Sequence, residues 1–455
     1  MIFNRRRLFG ALAAASAGSA VPASARETSA RAASARSSVD AASLGLWPNP
    51  AEDQSRIFQR AIDRAGAEGA VLRLAPGVYR AGGLILRPHT AIAGNAGATR
   101  IIAAGASPVM SAAGSDYIGI SGLILDGAGI PLQNGQGLIN LAHSRSVRVT
   151  DCEVANAGGN GISLTAIEGE VSGNTVSAAD AAIFSIDAVG LKISSNHVRG
   201  AGNNGILVWR SAPGDDGTLV VDNRIENIGN TSGGSGQYGN AINVFRAGNV
   251  IVRGNRIGRA AFSAVRGNSA SNLQIVGNTC TALGEVALYA EFGFEGAVIA
   301  NNIVDGAAMG VSVTNFNRGG RLAVVQGNLL RNIVAHRPAG TDPNDDSGIG
   351  IGVEADTLVS GNVVENVRNT GIAAGSGSYL RDVSISANIV RGADYGITVS
   401  VAPGAGTSLI ADNLISGARL GAIVGMQWKK AATGDLAKEG ATTYPQLSIN
   451  NNRVR

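Results

Sequence analysis

The sequence predicts an all-β solenoid of about fourteen turns with a short amino-terminal capping helix. Three observations carry this: a recurring asparagine phrase, a second apolar phrase upstream of it in each repeat, and 64 glycines with only 4% aromatics in 455 residues. Eleven times from Val171 to the carboxyl end, small or β-branched residues precede an asparagine that an alternating apolar pair follows. The phrase reads VSGNTV around Asn174, VVDNRI around Asn223, IVGNTC around Asn278 and SINNNRV at Asn452, and it recurs at Asn196, Asn255, Asn302, Asn328, Asn362, Asn388 and Asn413. A period of roughly 22 to 39 residues marks repeats that bury their apolar faces only by stacking on their neighbours. Asparagines stacked along such a rod can satisfy turn backbone groups. Upstream phrases such as GISL at Gly161, GILVW at Gly205, AINVF at Ala241 and GITVS at Gly396 bring the count to three strands per turn. No repeat holds a ten-residue helical pattern, which excludes helical solenoids.

The amino terminus reads as an export signal over residues 1–25. Arg5, Arg6 and Arg7 precede a short apolar stretch that closes on Ala23-Ser24-Ala25, and Arg6-Arg7-Leu8-Phe9 resembles the twin-arginine signal read by its translocon. The stretch is too short for a membrane span, so a periplasmic or secreted location is expected. Losing three arginines and no acidic residue reduces the formal charge from +4 to +1, and a nucleic-acid partner loses its main support. Residues 26–50 form a lead-in, disordered from its RETSARAASARSSVD run. Within 51–455, the β-helix proper, the segment from Asp53 to Ala65 places Ile57, Phe58, Ala61, Ile62 and Ala65 at helical spacing. Asn95, Leu123 and Cys152 then take the early ladder positions. Cys152 and Cys280 fall five rungs apart, roughly 24 Å, so they are expected as separate buried thiols.

This pattern resembles the right-handed parallel β-helix of the pectate-lyase-like superfamily over residues from about 50 to 455, and, with its leader, a family of twin-arginine-translocated repeat proteins of uncharacterised activity. The resemblance implies handling of polysaccharides, often acidic ones, on the outward face of the first strand of each coil. Fold alone does not establish function.

Period-two alternation then divides each first strand into inward and outward sets. Inward pairs read Ile162/Leu164, Phe184/Ile186, Ile206/Val208, Ile242/Val244 and Leu288/Ala290, leaving Ser185, Asp187, Trp209, Asn243, Phe245, Arg266, Asn268, Tyr289 and Glu291 outward. Trp209, Phe245 and Tyr289 are expected in one column flanked by Arg210, Arg246, Arg266 and Glu291. Rings would stack on sugars, with Arg210, Asn243 and Asn268 as further binding groups and arginine forks for uronate carboxylates. The bland alternative is that the segments 211–217 and 229–239 bury these rings, and that Arg266 and Glu291 form an ion pair.

Elimination needs a base and a positive group for the enolate, roles that Arg246 and Arg266 could divide, with Glu291 completing the catalytic set. As an outward residue, Arg266 is expected to be dispensable for folding. Hydrolysis needs two carboxylates about 5–9.5 Å apart; Glu291 and Glu354, two rungs apart at about 10 Å, are the nearest approach to such a pair. Asp342, Asn344 and Asp346, with Glu354 beyond, resemble a calcium loop, the alternative being a solvated acidic turn. His89, His143, His197 and His336 lack zinc-ligand spacing. The sequence thus reads as an exported protein that binds or modifies an acidic polysaccharide, by lyase-type elimination as the leading reaction. The alternatives are a non-catalytic carbohydrate-binding or envelope-structural protein, and an inverting hydrolase or epimerase.

Overall fold

The computed structural model describes residues 37–455 except 235, 340, 342–344 and 346; the export signal and residues 26–36 of the lead-in lie outside them. The rest of the lead-in, expected to be disordered, instead forms the strand Ser38–Asp40, paired with Val71–Arg73, and a 3-10 turn over Ala41–Leu44. Three parallel ladders wind through the chain. A pre-asparagine sheet runs from Ser38–Asp40 to Leu447–Asn450, and a post-asparagine sheet from Gly77–Arg80 to Arg453–Val454. The third, upstream sheet starts at Leu84–Ile85 and ends in the strand Leu414–Gln427, where Lys430–Asp435 folds back antiparallel on it. Val, Ile, Leu and Ala fill most of the interior, as the low aromatic content requires, with a few buried rings such as Phe58, Tyr79 and Phe294 among them. No helix of the described residues is long and apolar enough to cross a membrane.

The asparagine ladder is continuous. Each side-chain amide donates to a carbonyl of the preceding coil and to Oδ1 of the next asparagine, which also accepts that residue's backbone N–H; the pattern holds from Asn174 to Asn413, where Asn452 receives the last pair. Cys152 begins it, its backbone N–H donating to Asn174 Oδ1 at 3.0 Å. Both thiols are free and buried, and burial pushes them up to about 11 for Cys152 and about 12 for Cys280. Asn95 does not join. Its turn is four residues longer, so the side chain is exposed and buried Thr99 takes the position instead, reaching back to the Ala75 carbonyl at 3.3 Å.

The predicted helix is Ser55–Ala67, two residues later than the periodicity suggests, because Asp53 stays outside and accepts the Ser55 N–H at 2.8 Å. Phe58, Ala61, Ile62 and Ala65 are buried, with Ile57 at their margin. Gln59 gives and takes hydrogen bonds with the Ile85 backbone at 3.0 and 2.8 Å. One side chain of the helix thereby satisfies the otherwise open edge of the first upstream strand.

Candidate functional site

Register fixes which upstream-sheet residues face outward. Ser163, Phe184, Leu207, Asn243, Arg266, Tyr289 and Ser312 share one column, each the partner of the next. Thr165, Ile186, Trp209, Phe245, Asn268 and Glu291 share the second. Two expectations are thereby corrected. Phe184 faces outward and Ser185 is fully buried, because Ala181–Ile186 pairs one residue out of the expected phase. Tyr289 stands with Asn243 and Arg266, not with Trp209 and Phe245.

Three rings therefore meet on the outward face. Phe184 and Trp209 pack edge to face at 5.4 Å between centroids, and Trp209 and Phe245 at 5.6 Å. All three remain half-buried rather than covered. Beside the first two lies a groove of about 410 Å³ whose walls include Gln133, Asn134, Asp180, Gln237 and Tyr238, a volume within the usual range of ligand sites. Its walls come from long turns, and a second set of asparagines holds them. Asn160 Nδ2 donates to the Gly135 carbonyl at 3.3 Å, Asn204 Nδ2 to Gln237 O at 3.0 Å, and Asn240 Nδ2 to Tyr238 O at 3.1 Å. Asn243, expected to bind substrate, spends its amide on the Gly236 carbonyl at 3.1 Å. The sequence reading missed these anchors, although the phrases Asn160-Gly-Ile, Asn204-Gly-Ile and Asn240-Ala-Ile carried the signal.

The arginines are engaged. Arg210 reaches the Ala188 carbonyl at 3.4 Å. Arg246 lies 4.7 Å from the Phe245 ring centroid and donates to Ser211 O at 3.0 Å. Arg266 is buried and grips Glu291 with two bonds of 2.7 and 3.0 Å, while its third nitrogen reaches Glu285 at 3.4 Å. Arg337 approaches Glu285 from the other side at 3.0 Å, and Asn268 donates to Glu291 at 3.1 Å. Tyr289 lies beneath the Arg266 guanidinium at 5.0 Å. Burial alone would lower the Arg266 pKa, but Glu291 and then Glu285 more than offset it and hold the guanidinium charged. Glu285 is itself pushed up by burial, against the pull of Arg266 and Arg337. This is the ion-pair alternative, extended by two residues the sequence reading did not single out. The ground for expecting Arg266 to be dispensable for folding falls away, because an outward position here is also a buried one.

Glu354 stands two rungs beyond Glu291, as its spacing implied. Its oxygens accept Thr314 Oγ1 at 2.8 Å and Phe316 N–H at 2.7 Å, and burial pushes its carboxyl up against both bonds. It lines a smaller cavity of about 140 Å³ with Tyr289, Ser312 and Arg337. Asp342, Asn344 and Asp346, the other expected calcium ligands, lie outside the described residues. Among the described residues no three His, Cys, Asp or Glu side chains gather as a metal site.

Residues 110–225 match the family model of the right handed beta helix region. No curated protein matches the chain. Among solved structures, the N-terminal fragment of bacteriophage phi29 gene product 12 aligns over 85% of this chain and 68% of its own, at 16% identity and a TM-score of 0.50. The A-module of the mannuronan C-5 epimerase AlgE6 of Azotobacter vinelandii aligns over 91% and 99%, at 15% identity and 0.40. PfbA, a surface adhesin of Streptococcus pneumoniae, aligns over 92% and 91%, at 14% identity and 0.45. Likeness at these identities is one of fold. Three parallel ladders, an unbroken asparagine stack and the family match over residues 110–225 together make this chain a right-handed parallel β-helix.

Proposed function

We propose that the chain is an exported polysaccharide-binding protein whose groove takes a neutral glycan. The observation that carries this is the groove beside Phe184 and Trp209, where partly exposed rings meet amide side chains and a carboxylate. Apolar ring faces match the axial C–H surface of a sugar, and amides match its hydroxyls. The groove's lining holds Asp180 and neither arginine nor lysine. A uronate would meet a negative charge there, which argues for a neutral chain in place of the acidic one the sequence suggested. Binding is favoured over elimination because Arg266, one of the two arginines expected to divide the base and enolate-holding roles, is buried and held in its charged form by Glu291 and Glu285.

Glycan-array binding of the full chain tests the reading. Retention on at least one neutral polysaccharide, weakened by Trp209→Ala or Phe184→Ala, is the expected result; equal retention by both variants would refute the groove. Export rests on Arg6-Arg7 and the Ala23-Ser24-Ala25 ending. Lysine at both arginines should strand the precursor in the cytoplasm, and normal export would point to the general secretory route.

A second reading has one observation in its favour. Glu354 is a carboxyl raised by burial at the wall of a cavity, the state a general acid needs. Hydrolysis there predicts release of reducing ends from a bound glycan, lost in Glu354→Gln.

A further inference from the structure

The post-asparagine sheet carries a second ordered surface, remote in the coil from the groove. Its first outward column runs Ile303, Leu329, Val363, Ile389 and Leu414, five aliphatic residues in direct register on consecutive rungs. At about 4.8 Å per rung the stripe is roughly 19 Å long. Ile303, Leu329 and Val363 are 43%, 37% and 39% exposed. Strand preference would account for valine and isoleucine on a solvated face, but it does not account for Leu329 and Leu414 in the same line. A contiguous apolar stripe in water marks a contact surface.

The neighbouring column says what fits it. Asp305, Arg331, Glu365 and Arg391 follow one another in register, so the charge alternates negative, positive, negative, positive along the rod. Asp305 pairs with Arg331 at 2.8 Å and Glu365 with Arg391 at 3.4 Å, yet the two arginine side chains remain 50% and 62% exposed. Read in reverse, the same column has the opposite sign at every position. Two copies related by a two-fold axis between Arg331 and Glu365, perpendicular to the rod, would set Asp305 against Arg391 of the other copy and Arg331 against its Glu365. The aliphatic stripes would meet alongside. An axis parallel to the rod would instead place each charge against its own copy, which repels.

We propose that this face joins two copies of the chain antiparallel, as a two-fold dimer. Sedimentation equilibrium of the full chain is the test. The expected mass rises with concentration from one chain of 45.8 kDa toward twice that value. Arg331→Glu alone sets like charges together at both central contacts, and Glu365→Arg alone does the same with the opposite sign, so each should sediment as a monomer. Their equimolar mixture makes every opposed pair complementary again and should restore the dimer. Leu329→Arg, in the apolar column, offers an independent route to the monomer, and circular dichroism checks that each variant is folded. A wild-type chain that stays monomeric, a single charge variant that still dimerises, or a mixture that stays monomeric would each overturn the proposal.

Discussion

Replacing Asn278 with alanine removes four hydrogen bonds at one point in the middle of the rod. Its amide donates to the Val252 carbonyl and to Asn302 Oδ1, each at 3.0 Å, and its oxygen accepts the Asn255 backbone N–H at 3.0 Å and the Asn255 side-chain amide at 2.9 Å. The losses are unequal. Asn302 Oδ1 still receives the residue-278 backbone N–H, and the Asn255 amide keeps the Val220 and Arg253 carbonyls. The Asn255 backbone N–H, buried at the turn, loses the acceptor that the ladder gave it. An orphaned buried donor costs about 1–3 kcal/mol. Because each coil contacts only its neighbours, that cost should appear first as local opening. Hydrogen exchange read at Asn255 should accelerate by about 5- to 150-fold, the same energy expressed as an opening constant. Amides several coils away, near Asn174 or Asn413, should change little. Unchanged protection at Asn255 would refute the view that side-chain amides, rather than strand pairing alone, hold the turns.

Arg266→Ala should destabilise the fold by about 3–5 kcal/mol, because it leaves buried Glu291 with Asn268 alone as a donor partner in this cluster. Arg246→Ala, which removes one exposed bond and the contact with the Phe245 ring, should cost no more than about 1 kcal/mol in the same denaturation series, and equal effects would contradict the burial argument. Glu226, bonded to His197 and then to Arg224 and Arg259, is held at about 2, below the ordinary value of 4.5. Its contribution is therefore present above pH 4.5 and lost as pH falls from 4.5 through 2, so Glu226→Gln should flatten that acid limb of melting temperature against pH. A limb of unchanged slope would show that other carboxylates dominate. Cys152 and Cys280, raised by burial, should resist alkylation in the folded chain at pH 8 and react once it is unfolded; modification of the native chain would show that the coils open.

The asparagine ladder was legible because one side chain both donates and accepts along the rod axis, so every coil repeats the same chemical demand. Asn95 escaped because four inserted residues moved an asparagine out of the turn and Thr99 into it, a change that spacing alone does not reveal. Phe184 was misphased because Ile183, Phe184 and Ile186 offer two apolar alternations, and only pairing with Ile206 and Leu207 selects one. The aromatic pair Trp209 and Phe245 could be read from alternation, whereas Tyr238 and Gln237 could not, since a turn places them there. Likewise Arg337 meets Glu285 across 52 residues of sequence, through a turn whose path no local pattern specifies.

The groove assignment meets its most direct test in the fluorescence of a single tryptophan. Trp47 and Trp428 are both exposed, and replacing them with phenylalanine leaves Trp209 as the sole indole in the chain. Titration with neutral gluco-, manno- and galacto-oligosaccharides should give a saturable shift in Trp209 emission with at least one of them, and none with an oligouronate. A Trp209 signal that stays flat across every neutral sugar, or that responds only to the uronate, would contradict the account.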